Sequence, residues 1–308
     1  MIGCHVNRED KSSIVKSIQN AIYDCNVYSL KMSTVSIFIS NPRGLQIIVS
    51  DEDIEDLKKF IRTKNITLIA HSSYVAFLWG EKNLQLGKIT KFVEREYMIC
   101  KEIGIQGLVV HLPKPPMLKK AKTIIRNLIN FTNKEGVKEE SEKNNLSPVI
   151  YLETPAITPM FANYDNGIKI SKLFAIIEKE STLLKKPHPF GLCIDTAHIW
   201  TSGNDISTYD GAKRWFTELM DMPYIPHDKI IIHLNDSERD IGHGPDRHAS
   251  LTEGKIWNSY KTRAELRGSG LCFILEFAQS NNIPIILERG SKEMLKNDYQ
   301  ILQKFAQM

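Results

Sequence analysis

FGLCIDTAHIW, residues 190–200, opens on a run that is small or apolar on both of its alternating faces and then meets Asp195 and His198. A strand with one solvated face would alternate apolar with polar. A run apolar on both sides is expected of a parallel strand lying between a core and a layer of helices. Seven more runs of this kind follow one another along the chain: MIGCHV (1–6), TVSIFI (34–39), ITLIAH (66–71), GLVVHL (107–112), VIYLET (149–154), IIIHLND (230–236) and IPIILER (283–289).

The intervening stretches have helical spacing. The segment 50–61 starts on Ser50 with an acidic first turn, and Ile54, Leu57, Phe60 and Ile61 then fall on one helical face. Ile89, Phe92, Val93 and Cys100 do the same, as do Ile170, Leu173, Phe174 and Ile177. Strand and helix alternating eight times, with no linker, predict an α/β fold, a (β/α)8 TIM barrel, with residues 1–308 as one domain. NKEGVKEESEKNNLSP (133–148) breaks the rhythm, being charged and lacking an apolar stripe. It reads as a surface loop preceding the fifth strand, at the face of the barrel opposite the chemistry.

Composition excludes several classes. A net charge of +4 over 308 residues is too small by itself to imply a nucleic-acid partner, so any basic surface must be local. Five scattered cysteines with no CxxC spacing read as reduced thiols. No run approaches the ~18 apolar residues of a membrane span, and the polar start MIGCHVNRED does not resemble a signal peptide. These features predict a soluble, intracellular protein.

Barrel enzymes carry their chemistry at the C-terminal ends of the strands. Here the third run ends at His71, the fourth at His111, the fifth at Glu153, the sixth at Asp195 with His198 just beyond, the seventh at His233 and the eighth at Glu288. After the seventh, GPDRHASLTEG (244–254) supplies Asp246 and His248; two apart in an extended segment, their side chains point the same way. Any one such residue would ordinarily be a cap or a satisfied histidine. Five of the nine histidines gathered at one rim with four carboxylates are a metal-ligand set. Nine ligands exceed one tetrahedral centre, and the imidazole content favours zinc over magnesium. Three divalent ions would use the set fully if one carboxylate bridges. Four carboxylates would leave such ions about two positive charges in excess, which attracts an anion and favours hydrolysis of a phosphodiester.

HSSY (71–74), VVHL (109–112), LETP (152–155), CIDTAHIW (193–200), HLND (233–236), GPDRHASLTEG (244–254) and ILER (286–289) together resemble the signature blocks of the endonuclease IV family of apurinic/apyrimidinic endonucleases, notably members encoded by large DNA viruses. The resemblance runs in order over nearly the whole chain. It implies three zinc ions: one held by His71, His111 and Glu153, a second by Glu153 as bridge with Asp195, His233 and Glu288, a third by His198, Asp246 and His248. It also implies cleavage of duplex DNA on the 5′ side of an abasic sugar, by a monomer, with Glu153 and Glu288 as the catalytic carboxylates. Arg43, Tyr74 and Val75 match positions that enter the duplex, and Arg247, between two ligands, is a candidate for phosphate. The chain departs from the bacterial pattern at Val75, Phe77 and Pro113, and HLPKPPMLKK (111–120) brings Lys114, Lys119 and Lys120 to a loop that is elsewhere built of small residues. Rival readings are a barrel sugar isomerase, which predicts two metals in mostly oxygen shells, and a lesion-binding protein without catalysis.

Overall fold

The computed structural model describes residues 2–10, 12–76, 83–112, 118–134, 137, 147–156 and 166–306. Phe77, Pro113, Lys114, most of 133–148 and the side chains of Lys119 and Lys120 lie outside them.

Parallel strands β1 (Ile2–Val6), β2 (Met32–Phe38), β3 (Thr67–His71), β4 (Gly107–His111), β5 (Val149–Glu153), β6 (Phe190–Asp195) and β7 (Ile230–His233) pair in sequence order. A ribbon, β8 (Asp236–Ser237) and β9 (His248–Ala249), intervenes before β10 (Ile285–Leu287), which pairs with both β7 and β1 and closes the barrel at eight strands. Around it run α1 (Ile14–Val27), α2 (Asp51–Thr63), α3 (Asn83–Ile103), α4 (Leu118–Thr132), α5 (Asn166–Leu184), α6 (Thr196–Thr201), α7 (Tyr209–Met220), α8 (Arg263–Leu266), α9 (Gly270–Ser280) and α10 (Lys292–Ala306). The helix over 50–61 is α2, with Ser50 and Asp53 forming a capping box and Ile54, Leu57 and Phe60 buried.

Two apolar regions follow from the alternation of strand side chains. One fills the space between strands and helices and takes in Leu68, Val110, Leu192 and the buried faces of α2, α3 and α5. The other lies inside the barrel: Ile69, Val109, Cys193, Ile231 and Ile286, with Tyr151 packed against them. Gly107 admits the Tyr151 ring, which a Cβ there would strike. Each of the six residues precedes by two a predicted ligand: His71, His111, Glu153, Asp195, His233 or Glu288. Side chains two apart on a strand share a face. The ligands therefore point inward, one layer above an apolar floor.

Register sets their neighbours. His111 pairs with Glu153 and Asp195 with His233 across adjacent strands. Two details differ from the sequence reading. The eighth strand stops at Leu287, because the Glu288 amide donates to Asn235 Oδ1 (3.2 Å) and so leaves the ladder. The segment after the seventh strand returns on itself, pairing Ser237 with His248 in an antiparallel ribbon.

Candidate metal centre

All nine predicted ligands converge on the C-terminal mouth of the barrel. Glu153 turns one carboxylate oxygen to His111 Nε2 (2.9 Å) and His71 Nε2 (3.5 Å), and the other to His233 Nδ1 (2.8 Å). His233 Nδ1 also lies 3.2 Å from Glu288 Oε2 and 4.0 Å from Asp195 Oδ2. Asp195 Oδ2 faces His248 Nε2 at 3.6 Å, and Asp246 Oδ2 lies 3.1 Å from His198 Nε2 and 3.3 Å from His248 Nε2. Three overlapping groups have ligand atoms within 4.8 Å of one another: His71, Glu153 and His233; Glu153, Asp195, His233 and Glu288; and Asp195, His198 and His248.

Local structure orients these groups. His71 and His198 each engage a backbone carbonyl through Nδ1, that of Ser72 (2.7 Å) and of Thr154 (2.6 Å), which leaves Nε2 turned to the carboxylates. Asp195 divides its work: Oδ1 caps α6 by accepting the His198 amide (2.9 Å), while Oδ2 faces the cluster.

Electrostatically the cluster is a trap for positive charge. Burial alone would push the Glu153 carboxyl up, yet His111 and His233 hold it well below the usual carboxylate range. Glu288 is held low by His233 and His248, and Asp246 by His198, in each case against burial. Burial would depress the His198 and His233 imidazoles, but Asp195 and Asp246 hold His198 well above its ordinary range, and Cys193, Glu288 and Glu153 do so for His233. Asp195 itself is raised by burial. Asp246 Oδ1 is buried without a hydrogen-bond partner, an acceptor still to be satisfied.

Sequence reasoning missed the residues that brace the ligands. Asn235 is fully buried and donates through Nδ2 to Asp195 Oδ2 (2.6 Å) and Glu288 Oε2 (3.1 Å). Its Oδ1 accepts from Arg289 Nη1 (2.6 Å) and from the Glu288 amide, so all of its bonding capacity is used. Arg289 in turn donates to the carbonyls of Glu288 (2.7 Å) and Leu234 (3.1 Å) and is ion-paired with Asp298 of α10. Asp298 Oδ1 accepts the Leu251 amide (2.7 Å), which ties the loop after β9 to the same frame. Asp236 accepts the amides of Ser237 (2.8 Å), Thr252 (3.0 Å) and Ile256 (2.9 Å); although it closes the HLND block, nothing in the sequence marked Asp236 as a brace. Both aspartates are pushed up to about 6 by burial.

The cluster floors an open cleft of about 690 Å³. Arg43, Tyr74 and Arg247 line it, with His5, Asn7 and Phe38 on the side of β1 and β2. Val75 does not line the cleft but stands exposed beside it. The Tyr74 ring packs against those of Phe38, His71 and His111, with centroids 5.4–5.6 Å apart.

Residues 27–301 match the AP endonuclease 2 family model, described as a xylose isomerase-like TIM barrel. A probable AP endonuclease of African swine fever virus is 36% identical over 278 residues, 90% of this chain and 86% of the viral one. A probable endonuclease 4 of Nitrosopumilus maritimus is 30% identical over 98% of each chain. Among solved structures, the crystal structure of AsfvAP:AG superposes with a TM-score of 0.78 at 29% identity, covering 99% of both chains.

Proposed function

The chain belongs to the AP endonuclease family of xylose isomerase-like TIM barrels, and from that premise we propose that it is a zinc-dependent DNA-repair endonuclease that hydrolyses the phosphodiester bond 5′ to an abasic site in duplex DNA. The products are a 3′-hydroxyl and a 5′-deoxyribose phosphate. The enzyme acts as a monomer, with residues 1–308 as one catalytic domain. The observation that carries this reading is the convergence of five imidazoles and four carboxylates on one mouth of the barrel. No helix among the described residues is long and apolar enough to cross a membrane.

The donor set fits zinc, and the buried, unpartnered Asp246 Oδ1 has the unmet demand that an ion would satisfy. His71, His111 and Glu153 would hold one ion, Glu153, Asp195, His233 and Glu288 a second, and His198, Asp246 and His248 a third. Bound there, such ions supply activation of the attacking water and neutralisation of charge on the scissile phosphate.

The rest falls to the protein. Glu153, with one oxygen toward His71 and His111 and the other toward His233, would be the carboxylate shared by two ligand groups. Glu288, held by Asn235 and facing both His233 and His248 (3.2 and 3.8 Å), is placed to orient the nucleophile. Arg247 is exposed at the mouth beside its two ligand neighbours, where it would meet a backbone phosphate. Arg43, Tyr74 and Val75 rise from two neighbouring loops and would fill the space left when the abasic nucleotide turns out. That extrusion costs least where no base has to be unpaired.

The deciding experiment offers the protein a duplex with one stable abasic analogue, with and without a chelator. The expected product is a nick on the 5′ side whose 3′ end a polymerase extends, abolished by the chelator. An intact duplex, or a nick that survives metal removal, overturns the reading.

A further inference from the structure

Glu96, on α3, is fully buried and belongs to neither the ligand cluster nor the cleft lining. Its two carboxylate oxygens each accept a hydroxyl from a different loop: Oε1 from Ser40 (2.5 Å) and Oε2 from Ser72 (2.6 Å). Both serines are themselves buried. Ser40 begins the hairpin that follows β2, where it bridges to Ile47 while the amides of Asn41 and Ile48 reach Gln46 O (2.8 Å) and Ile39 O (3.0 Å). Arg43 sits at the tip of that hairpin. Ser72 begins the segment that carries Tyr74 and Val75, which are 49% and 46% exposed. A second fastening lies above the first: the Pro42 carbonyl accepts both the Tyr74 amide (2.9 Å) and Ser73 Oγ (3.2 Å).

We propose that Glu96 is a positioning residue for lesion recognition, which locks the hairpin 40–48 and the loop 72–76 into one rigid body that enters the duplex as a unit. The inference rests on the reading above that these loops meet DNA. Its physical basis is pre-organisation: two loops fixed before binding do not lose their freedom upon binding. A carboxyl group suits the task because its two oxygens can each meet a different loop, and hydrogen bonds in a buried, low-dielectric site are strengthened. A simple buried partner for one serine would hold one loop and leave the other alone.

Amide hydrogen exchange on the full chain, free of DNA, separates these cases for Ser40→Ala, Ser72→Ala, Glu96→Ala and Glu96→Gln. Under the proposal each serine variant speeds exchange in the loop it does not belong to by about tenfold, as expected when local opening is eased by the loss of one strong bond. Glu96→Ala loosens both loops, Glu96→Gln less so, and the barrel strands keep their protection. If each serine variant loosens only its own loop, the proposal is overturned. On abasic duplex, Glu96→Gln is expected to raise KM by about tenfold with kcat and zinc content kept, the signature of lost binding alone; a matching fall in kcat and zinc content instead overturns it. Should Glu96→Ala fail to fold, the two serine variants carry the test. Should the wild type leave abasic duplex intact, the proposed function fails while the exchange result still decides whether the loops are coupled.

Discussion

His71, Glu153, Asp195 and His233 end barrel strands and are buried, whereas Asp246 and His248 belong to a ribbon outside the barrel, with side chains 31% and 21% exposed. The two sets meet at one mouth but are held there differently. The strand ligands inherit their positions from parallel register, so moving any of them means breaking a ladder of backbone hydrogen bonds. The ribbon ligands depend on a local brace, the Asp236 carboxylate with its three backbone amides and the Asp298 contact to Leu251. Glu288 stands between the two regimes: one residue past its strand, it is fixed by Asn235 and Arg289. The difference teaches that one cluster of candidate ligands is rigid by topology where strands carry it, and at its outer edge only by side-chain bonds.

The strongest test of that division is Glu153→Ala. Removing the ligand shared by two groups is expected to drop zinc content by more than one ion per chain and to cost about a thousandfold or more in cleavage of abasic duplex, since metal activation of water is lost with it. Metal analysis showing the loss of one ion or none would put Glu153 on a par with the ribbon ligands. Glu288→Gln keeps shape while removing charge, and should reduce cleavage by about a hundredfold or more with binding to abasic duplex retained. Unchanged turnover would take Glu288 out of the mechanism. Gly254→Ala probes the brace, because a Cβ there would strike the Asp236 carboxylate. The expected loss of stability is about 1–3 kcal/mol in denaturant unfolding, with faster release of the zinc proposed for Asp246 and His248 than of the rest; uniform release of all zinc would mean that the ribbon is no separate unit. Arg43→Ala, outside both regions, should have the smallest effect, weakening abasic recognition about tenfold or less with zinc content unchanged. Equal binding by variant and wild type would make Arg43 an ordinary turn residue.

Much of this architecture was legible residue by residue. The run from Phe190 to Ile194 is apolar on both faces because β6 is packed on both, and Asp195 follows as the last residue of the strand. The ring of ligands could be read because the strands end where their apolar runs end, and because histidine is scarce enough for its positions to carry information. The ribbon could not be read: β8 and β9 are two residues each, too short to leave a periodic trace, and pair across ten intervening residues. Asn235 and Arg289 lay inside the quoted blocks HLND and ILER, but an Asn or Arg beside a ligand looks the same whether it faces the site or solvent. Glu96 did leave a signal. It falls four residues after Phe92 and four before Cys100, in the middle of the apolar face of α3, where a charged residue needs a buried partner.

The sequence by itself determined the alternation of strand and helix and the gathering of imidazoles and carboxylates at the strand ends, because these follow from periods of 2 and 3.6 residues and from where the apolar runs stop. Only the tertiary structure decided how far apart the ligands stand, which oxygen of Glu153 or Asp195 serves which neighbour, and which side chains hold them. Those depend on barrel closure and on contacts between residues tens of positions apart, such as Asn235 with Glu288 and Glu96 with Ser40. Local sequence preference carries no record of such pairings, since each is fixed only when the elements that bear it have packed.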